Sequence, residues 1–461
     1  MSSSDEERRE RVRGRRRRRR ARRIRKAAIA IAALAIVGAT TFVFAWPHVG
    51  SAVRARLPPP LLAILSPPPP YSDIVVGMDT DAGDWYGSSV ALSGTRLAVG
   101  AFRDSDELER AGAVYIGSFR DGAWTNQSKL VPADRAAGDQ TGFSVALDGD
   151  WLAVGAVGGF AKRAARTRTD GRVHVYRQTR AGWEAVTTLT RPSGQTDDRY
   201  GFSVSIDDGW LAVGARGVEN KRGAVYLHAL DALDAAPLEL RAPDAAPGDR
   251  FGEALALAGG TLIVGAPGKD VGDQTVAGAA FVFARDGENT DARWRPLGPP
   301  LVASPPQARA QFAIAVDTDG ENAIIGASHW AADGREGSVW VSARDATSGT
   351  WKTPEALPVV QSAPGDMDGF RVAIDGPDAV ASAHLADSGG SDSGAVLMFR
   401  AEADGWRHVG RIAPADGRAG DNYGIALALD GQTLLVGAET ADAAGADSGG
   451  VYIRPLAESE Y

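Results

Sequence analysis

The sequence predicts an all-β fold: a seven-bladed β-propeller of four-stranded blades, preceded by one N-terminal transmembrane helix. Three observations point there. A strand-rich unit recurs seven times, 56 glycines and 25 prolines among 461 residues suit many tight turns, and the two ends of the chain supply each other's missing strand.

The first copy of the unit runs from Asp84 to Phe119, as DWYGSSVALSGTRLAVGAF, a polar loop and AGAVYIGSF. Taking the glycine after its aromatic as anchor, the copies are marked by Gly87, Gly142, Gly201, Gly252, Gln311, Gly369 and Gly424, with Gln311 a departure. Each anchor is followed by a short strand in which small and branched residues alternate, such as Ser89 to Leu92, Ser144 to Leu147 and, in the fifth copy, Ala313 to Val316. That alternation suits an inner strand crowded around an axis. A glycine turn such as Asp148-Gly149 or Asp430-Gly431 then permits a tight hairpin. The second strand ends in Gly-Ala (Gly100-Ala101, Gly155-Ala156, Gly437-Ala438), and the third opens at Gly112, Gly171, Gly223, Gly278, Gly337, Gly394 and Gly449. An outer strand starts near Trp124, Trp183, Trp294, Trp351 and Trp406. Four strands make one blade.

The ends favour a ring over an open array. The last copy stops after its third strand, while Asp73 to Val76 lies as far ahead of Gly87 as an outer strand lies ahead of later anchors. The N-terminal strand is therefore expected to complete the seventh blade, which removes the exposed edges of an open array.

Ahead of the propeller, at 72–461, the sequence divides into three. Residues 1–26 carry thirteen arginines and Lys26 against Asp5, Glu6, Glu7 and Glu10, a charge of +10, so the rest of the chain carries −18 of the net −8. Residues 27–46 are uncharged and apolar, about 30 Å long as a helix, which matches the hydrocarbon core of a bilayer. Arginines before such a run predict a signal anchor with a cytoplasmic N-terminus and an exported body, periplasmic or extracellular. Residues 47–71 are a proline-rich linker. The acidic body argues against nucleic acid as a partner, and the absence of cysteine excludes thiol nucleophiles and disulfides.

The aromatic-glycine steps Tyr86-Gly87, Tyr200-Gly201, Phe251-Gly252 and Tyr423-Gly424, with Gly265-Ala266-Pro267, resemble the FG-GAP repeat of bacterial proteins and of the integrin α-subunit propeller. The resemblance covers about residues 72 to 461 and implies a seven-bladed propeller. It also implies a calcium loop between the first two strands of some blades. Most copies have only a bare hairpin there, but the fifth runs ten residues from Val316 to Gly326 and offers Asp317, Asp319 and Glu321 as oxygen ligands for calcium. The same residues also suit a polar turn, and no other cofactor is expected.

The aspartate three residues before the anchor (Asp84, Asp139, Asp198, Asp249, Asp366, Asp421) recurs too evenly for a unique site. A carboxylate accepting backbone N–H groups of the turn accounts for it. No catalytic motif is present, so no enzyme is expected. Recognition is expected on the face carrying the variable loops, where Asp270, Asp273, His329, Asp387, Asp392, Asp442 and Asp447 are candidates. The expected function is a membrane-anchored binding or adhesion module for a protein or glycan. An extracytoplasmic hydrolase or lyase, or a structural part of an envelope assembly, is the alternative.

Overall fold

In the computed structural model of the chain, the described residues are 74–456 other than 121–122, 159–169, 195–196, 288–292, 330, 333–334 and 361. The basic tail, apolar run and proline-rich linker expected at 1–26, 27–46 and 47–71 lie outside them. No helix among the described residues is long and apolar enough to cross a membrane.

The described residues form seven antiparallel four-stranded sheets, as expected. Blade 1 contains Tyr86–Ser93, Arg96–Ala101, Ala113–Arg120 and Ala123–Leu130, in sequence order from the axis outward. Blades 2 to 6 repeat this order. Blade 7 takes Ala426–Asp430, Thr433–Ala438 and Gly450–Pro455 from the C-terminal end and its outer strand, Ile74–Val75, from the N-terminal end. Ile74 lies opposite Tyr452 and Val75 opposite Val451. Each inner strand touches the next, and that of blade 7 touches that of blade 1, so the ring closes.

The hydrophobic core is divided into seven clusters, each built between two adjacent blades. No blade buries its faces alone, which is why the repeats must stack. The anchor aromatics are buried in these clusters. Tyr86 meets Tyr115 edge-on at 5.2 Å between ring centroids, and Tyr423 meets Tyr452 at 5.1 Å.

The aromatic-glycine and Gly-Ala marks prove to be two halves of one contact between blades. Gly142 has φ +87° and sits in a β-bulge, since Thr141 pairs with Ala156 and Ser144 with Gly155. The carbonyl oxygen of Gly142 approaches Gly100 of blade 1 so closely that a Cβ on Gly100 would lie 2.0 Å from it. The neighbouring serine seals the joint: Ser89 Oγ donates to Gly142 O at 2.7 Å, and Ser144 Oγ to Gly201 O at 2.8 Å.

This contact corrects the alignment of the fifth copy. The residue that meets Gly265 of blade 4 is Ala313, with φ +65°, and the anchor aromatic is Phe312. Gln311, φ +52°, instead matches Trp85, Gln140, Arg199, Arg250, Met367 and Asn422, the left-handed residues two before each anchor. The inner strand is Ala315–Thr318, two residues beyond Ala313 to Val316. The hairpin to Asn322–Gly326 is therefore no longer than the others.

The aspartates before the anchors act as turn acceptors. Asp84 Oδ2 takes the Asp81 N–H at 2.7 Å, Asp139 that of Ala136 at 2.6 Å, and Asp421 that of Arg418 at 2.7 Å.

Candidate functional site at the channel mouth

The inner strands surround a central cavity of about 430 Å3 to which all seven blades contribute. The residue after the anchor borders this cavity in six blades, as Ser88, Phe143, Phe202, Glu253, Ile314 and Phe370, and at the residue after Gly-Ala or its equivalent Phe102 meets Phe143, Arg216 meets Phe202 and His384 meets Phe370.

In blades 1 to 3 four aromatics form a run of ring contacts: Phe143 and Phe202 directly after their anchors, Phe102 after Gly-Ala, and Trp85 two residues before the anchor of blade 1. Trp85 meets Phe102 at 5.6 Å between centroids, Phe102 meets Phe143 at 5.4 Å, and Phe143 meets Phe202 at 5.0 Å. All four rings are half-buried and form a continuous apolar arc, of which Phe143 and Phe202 border the central cavity.

The other side of the mouth is charged. Arg216 lies over Phe202, 3.8 Å from its centroid, and pairs with Glu253 at 2.6 Å. Phe370 stacks on His384 at 4.4 Å, while Arg371 covers Phe370 at 4.3 Å and donates to its carbonyl oxygen at 3.0 Å. Glu439 faces Arg371 and Arg103, and Arg103 in turn lies 3.2 Å over Trp85.

Burial pushes the Glu439 carboxyl up to about 7, against the pull of Arg371 and then Arg103. Burial also holds His384 down to about 4, and Arg371 beside it acts in the same direction. Three buried polar atoms here, Arg103 Nε, Glu253 Oε2 and His384 Nδ1, have no hydrogen-bond partner among the described residues. Such atoms call for water or a polar ligand.

The residues singled out from sequence fall elsewhere. Asp270 accepts the Val276 N–H at 2.8 Å, Asp387 that of Asp392 at 3.0 Å, and Asp442 that of Asp447 at 2.9 Å. These three aspartates clasp their own loops. Asp392 also accepts from Ser391 Oγ, and Asp273 accepts the amide of Gln274. Only Asp447 comes near the mouth, within electrostatic reach of Arg103. His329 is exposed and shares a hydrogen bond with Ser328 Oγ at 3.0 Å.

The calcium candidates do not converge. Asp317 belongs to the inner strand, where its carboxylate accepts the Ile374 N–H of blade 6 at 2.9 Å. Asp319 accepts the N–H groups of Glu321 at 2.9 Å and Asn322 at 2.6 Å, closing its hairpin, and Glu321 is exposed. Among the described residues no three His, Asp or Glu side chains cluster as metal ligands.

The mouth residues were missed because the copies were compared for what repeats. Their one sequence signal is variation at fixed register: Ser88, Phe143, Phe202, Glu253 and Phe370 occupy one position in five blades.

Fold and mouth define a closed seven-bladed propeller with a recessed site at one end of its axis. The chain matches the FG-GAP repeat over residues 74–117, 124–176, 183–228, 238–283 and 406–454, more than half its length, and belongs to that family. The unmatched stretch holds blade 5, where Ala313 replaces the anchor glycine, and the inner strands of blade 6, where Ser382 replaces that of Gly-Ala. No curated protein matches the chain. Among solved structures it is similar to a periplasmic gluconolactonase of Pseudomonas aeruginosa, at 16% identity and a TM-score of 0.44, over 72% of this chain and 86% of that one. That likeness is too slight to bear on activity.

Proposed function

We propose that this protein is a non-catalytic recognition module, exported and held at a membrane by its N-terminal apolar segment, that takes a protein or glycan ligand at the channel mouth. The carrying observation is the half-buried arc of Trp85, Phe102, Phe143 and Phe202 beside three unpartnered buried polar atoms. Half-buried aromatic rings with adjacent polar groups suit contact with a sugar ring or an amphipathic side chain, with Arg103 over Trp85 and Arg216 over Phe202 bounding the arc at its two ends. The test is binding of the purified body to a glycan array and to surface proteins, beside a Phe143→Ala/Phe202→Ala double variant. The expected result is loss of the bound ligand with a melting temperature within a few degrees of the parent. Equal binding by both proteins sinks the reading.

Glu439 favours a second reading, an extracytoplasmic hydrolase or lyase. A carboxyl pushed up to about 7 at a channel mouth is suited to giving or taking a proton near neutral pH. Hydrolysis of any lactone or glycoside that disappears in Glu439→Gln supports it. Turnover that survives Glu439→Gln removes it.

A further inference from the structure

The central cavity holds one cation out of pattern. At the second residue after the anchor, the inner strands carry Ser89, Ser144, Ser203, Ala254, Ala315 and Ala426 in the other blades and Arg371 in blade 6, and all seven border the cavity. The next position is valine or leucine throughout. The three serine hydroxyls are spent on the joints between blades, Ser203 Oγ donating to Gly252 O at 2.9 Å as Ser89 and Ser144 do to Gly142 and Gly201. Blade 6 makes no such use of Arg371. Its backbone N–H is taken by Ser382 Oγ at 2.8 Å, and its side chain borders the cavity.

The Arg371 guanidinium donates through Nη1 to Phe370 O at 3.0 Å and covers the Phe370 ring. Its Nε–H and Nη2–H groups have no partner among the described residues. Burial works against its charge, and Glu439 and then Glu253 oppose that from beyond ion-pair distance. Glu253 is already paired with Arg216 at 2.6 Å, and Glu439 also faces Arg103. Around this cavity the cations Arg103, Arg216 and Arg371 thus outnumber the carboxyls Glu253 and Glu439, while Arg110 and Asp447, which also reach Arg103, are opposite in sign. Two polar atoms beside Arg371 and Phe370, Glu253 Oε2 and His384 Nδ1, are buried with no hydrogen-bond partner among the described residues.

A guanidinium with two free N–H groups matches the two oxygens of a carboxylate. The groups around it select what carries that carboxylate. Phe143, Phe202 and Phe370 offer apolar rings, and Glu253 Oε2 and His384 Nδ1 suit hydroxyl groups. A saccharide carries apolar ring faces and hydroxyls together, whereas a peptide end does not. We propose that the ligand taken at the mouth is an acidic saccharide whose carboxylate enters the central cavity and pairs with Arg371, while its ring lies against Phe143, Phe202 and Phe370. This assignment rests on recognition at the mouth and narrows the ligand. The cavity, about 430 Å3, falls within the range of small-ligand sites, about 300–1,000 Å3, and suits a terminal sugar residue.

The test is calorimetric titration of the purified protein with the methyl glycosides of glucuronate, galacturonate and N-acetylneuraminate. Each is run beside its neutral twin, the glucoside, the galactoside and the sialoside methyl ester. The titrations are repeated with Arg371→Ser, which gives blade 6 the residue that blades 1 to 3 carry at this position and should therefore fold with little change in melting temperature. The expected result is that at least one acid binds about tenfold or more tightly than its twin, that the preference weakens with rising salt, and that it vanishes in Arg371→Ser. Equal binding of acid and neutral twins overturns the proposal, and where Phe143→Ala/Phe202→Ala abolishes both it leaves recognition at the mouth standing. A preference for the acid that Arg371→Ser keeps in full also overturns it. Acid binding indifferent to Phe143→Ala/Phe202→Ala removes recognition by the aromatic arc and this inference with it. Binding of none of the probes overturns the proposal, as does a preference shown only for a tripeptide with a free C-terminus over its amide.

Discussion

The Asp430 carboxylate accepts the Gly94 N–H at 2.6 Å, and with that bond blade 7 grips blade 1 across 336 residues of chain. The same clasp joins other neighbours: Asp207 takes the Gly259 N–H at 2.8 Å and Asp375 that of Gly431 at 2.6 Å. The aspartates ending the inner strands hold adjacent hairpins together, in the region where the family resemblance implied calcium loops.

Ring closure depends on a two-residue strand, so it is testable at one contact. A Cβ on Gly450 would lie 2.2 Å from Ile74 Cδ1. Gly450→Val should therefore push the Ile74 side chain off Gly450, weaken the pairing of Ile74–Val75 and lower the melting temperature. Removing residues 1–78 should do the same while retaining Asp79, which accepts from Tyr115 and Lys129 of blade 1. Thermal melts unchanged in both proteins would contradict closure by this strand.

Ala313 occupies a left-handed position that six other blades give to glycine. A Cβ there costs about 1 kcal/mol. Ala313→Gly should raise stability by about that amount despite the added freedom of the unfolded chain, read as a higher denaturant midpoint at unchanged slope. A lower midpoint would show that the methyl group's packing in the blade 4–5 core outweighs the strain.

Asp317 carries a carboxyl that burial raises from its ordinary 3.8 to about 7, against the pull of hydrogen bonds from the Ile374 and Thr318 N–H groups. The folded protein thus holds this proton more tightly than the unfolded chain. The resulting stabilisation is present in full below about pH 4 and is lost as pH rises through about 7. Asp317→Asn keeps an acceptor for Ile374 and removes the titration. Between pH 4.5 and 8 the parent's melting temperature should fall more than the variant's, by roughly 2–4 °C. Parallel pH profiles would refute the assignment.

Calcium should have little influence on stability. The Asp317 and Asp319 carboxylates are directed at different backbone N–H groups rather than at one point. A chelator is expected to leave the melting temperature within about one degree, and a drop of several degrees would reveal a cation site.

Closure was legible in the sequence because Val75 precedes Gly87 at the spacing of an outer strand. The fifth register was not, for a definite reason. A strand alternates its faces with period two, so a shift of two residues from Ala313 to Ala315 leaves the pattern of small and branched residues intact. Without a glycine at 313, nothing local marked the bulge. Of the loop residues singled out from sequence, Asp447 lies within electrostatic reach of Arg103, while Asp270, Asp387 and Asp442 hold their own loops.

By itself the sequence determined the all-β class, seven blades of four strands and the joining of the two ends, because turn chemistry and strand alternation are local properties written once per repeat. Only the tertiary structure decided what lies at the axis. Phe102, Phe143, Phe202, Glu253, Arg371 and Glu439 come from six blades, and although Phe143, Phe202 and Glu253 share one repeat position, their differing chemistry gives no sign that closing the ring brings such side chains together. The same holds for Asp317, whose partner Ile374 lies 57 residues away. Its carboxylate became a latch between blades because the neighbouring strand places an N–H within 2.9 Å of it.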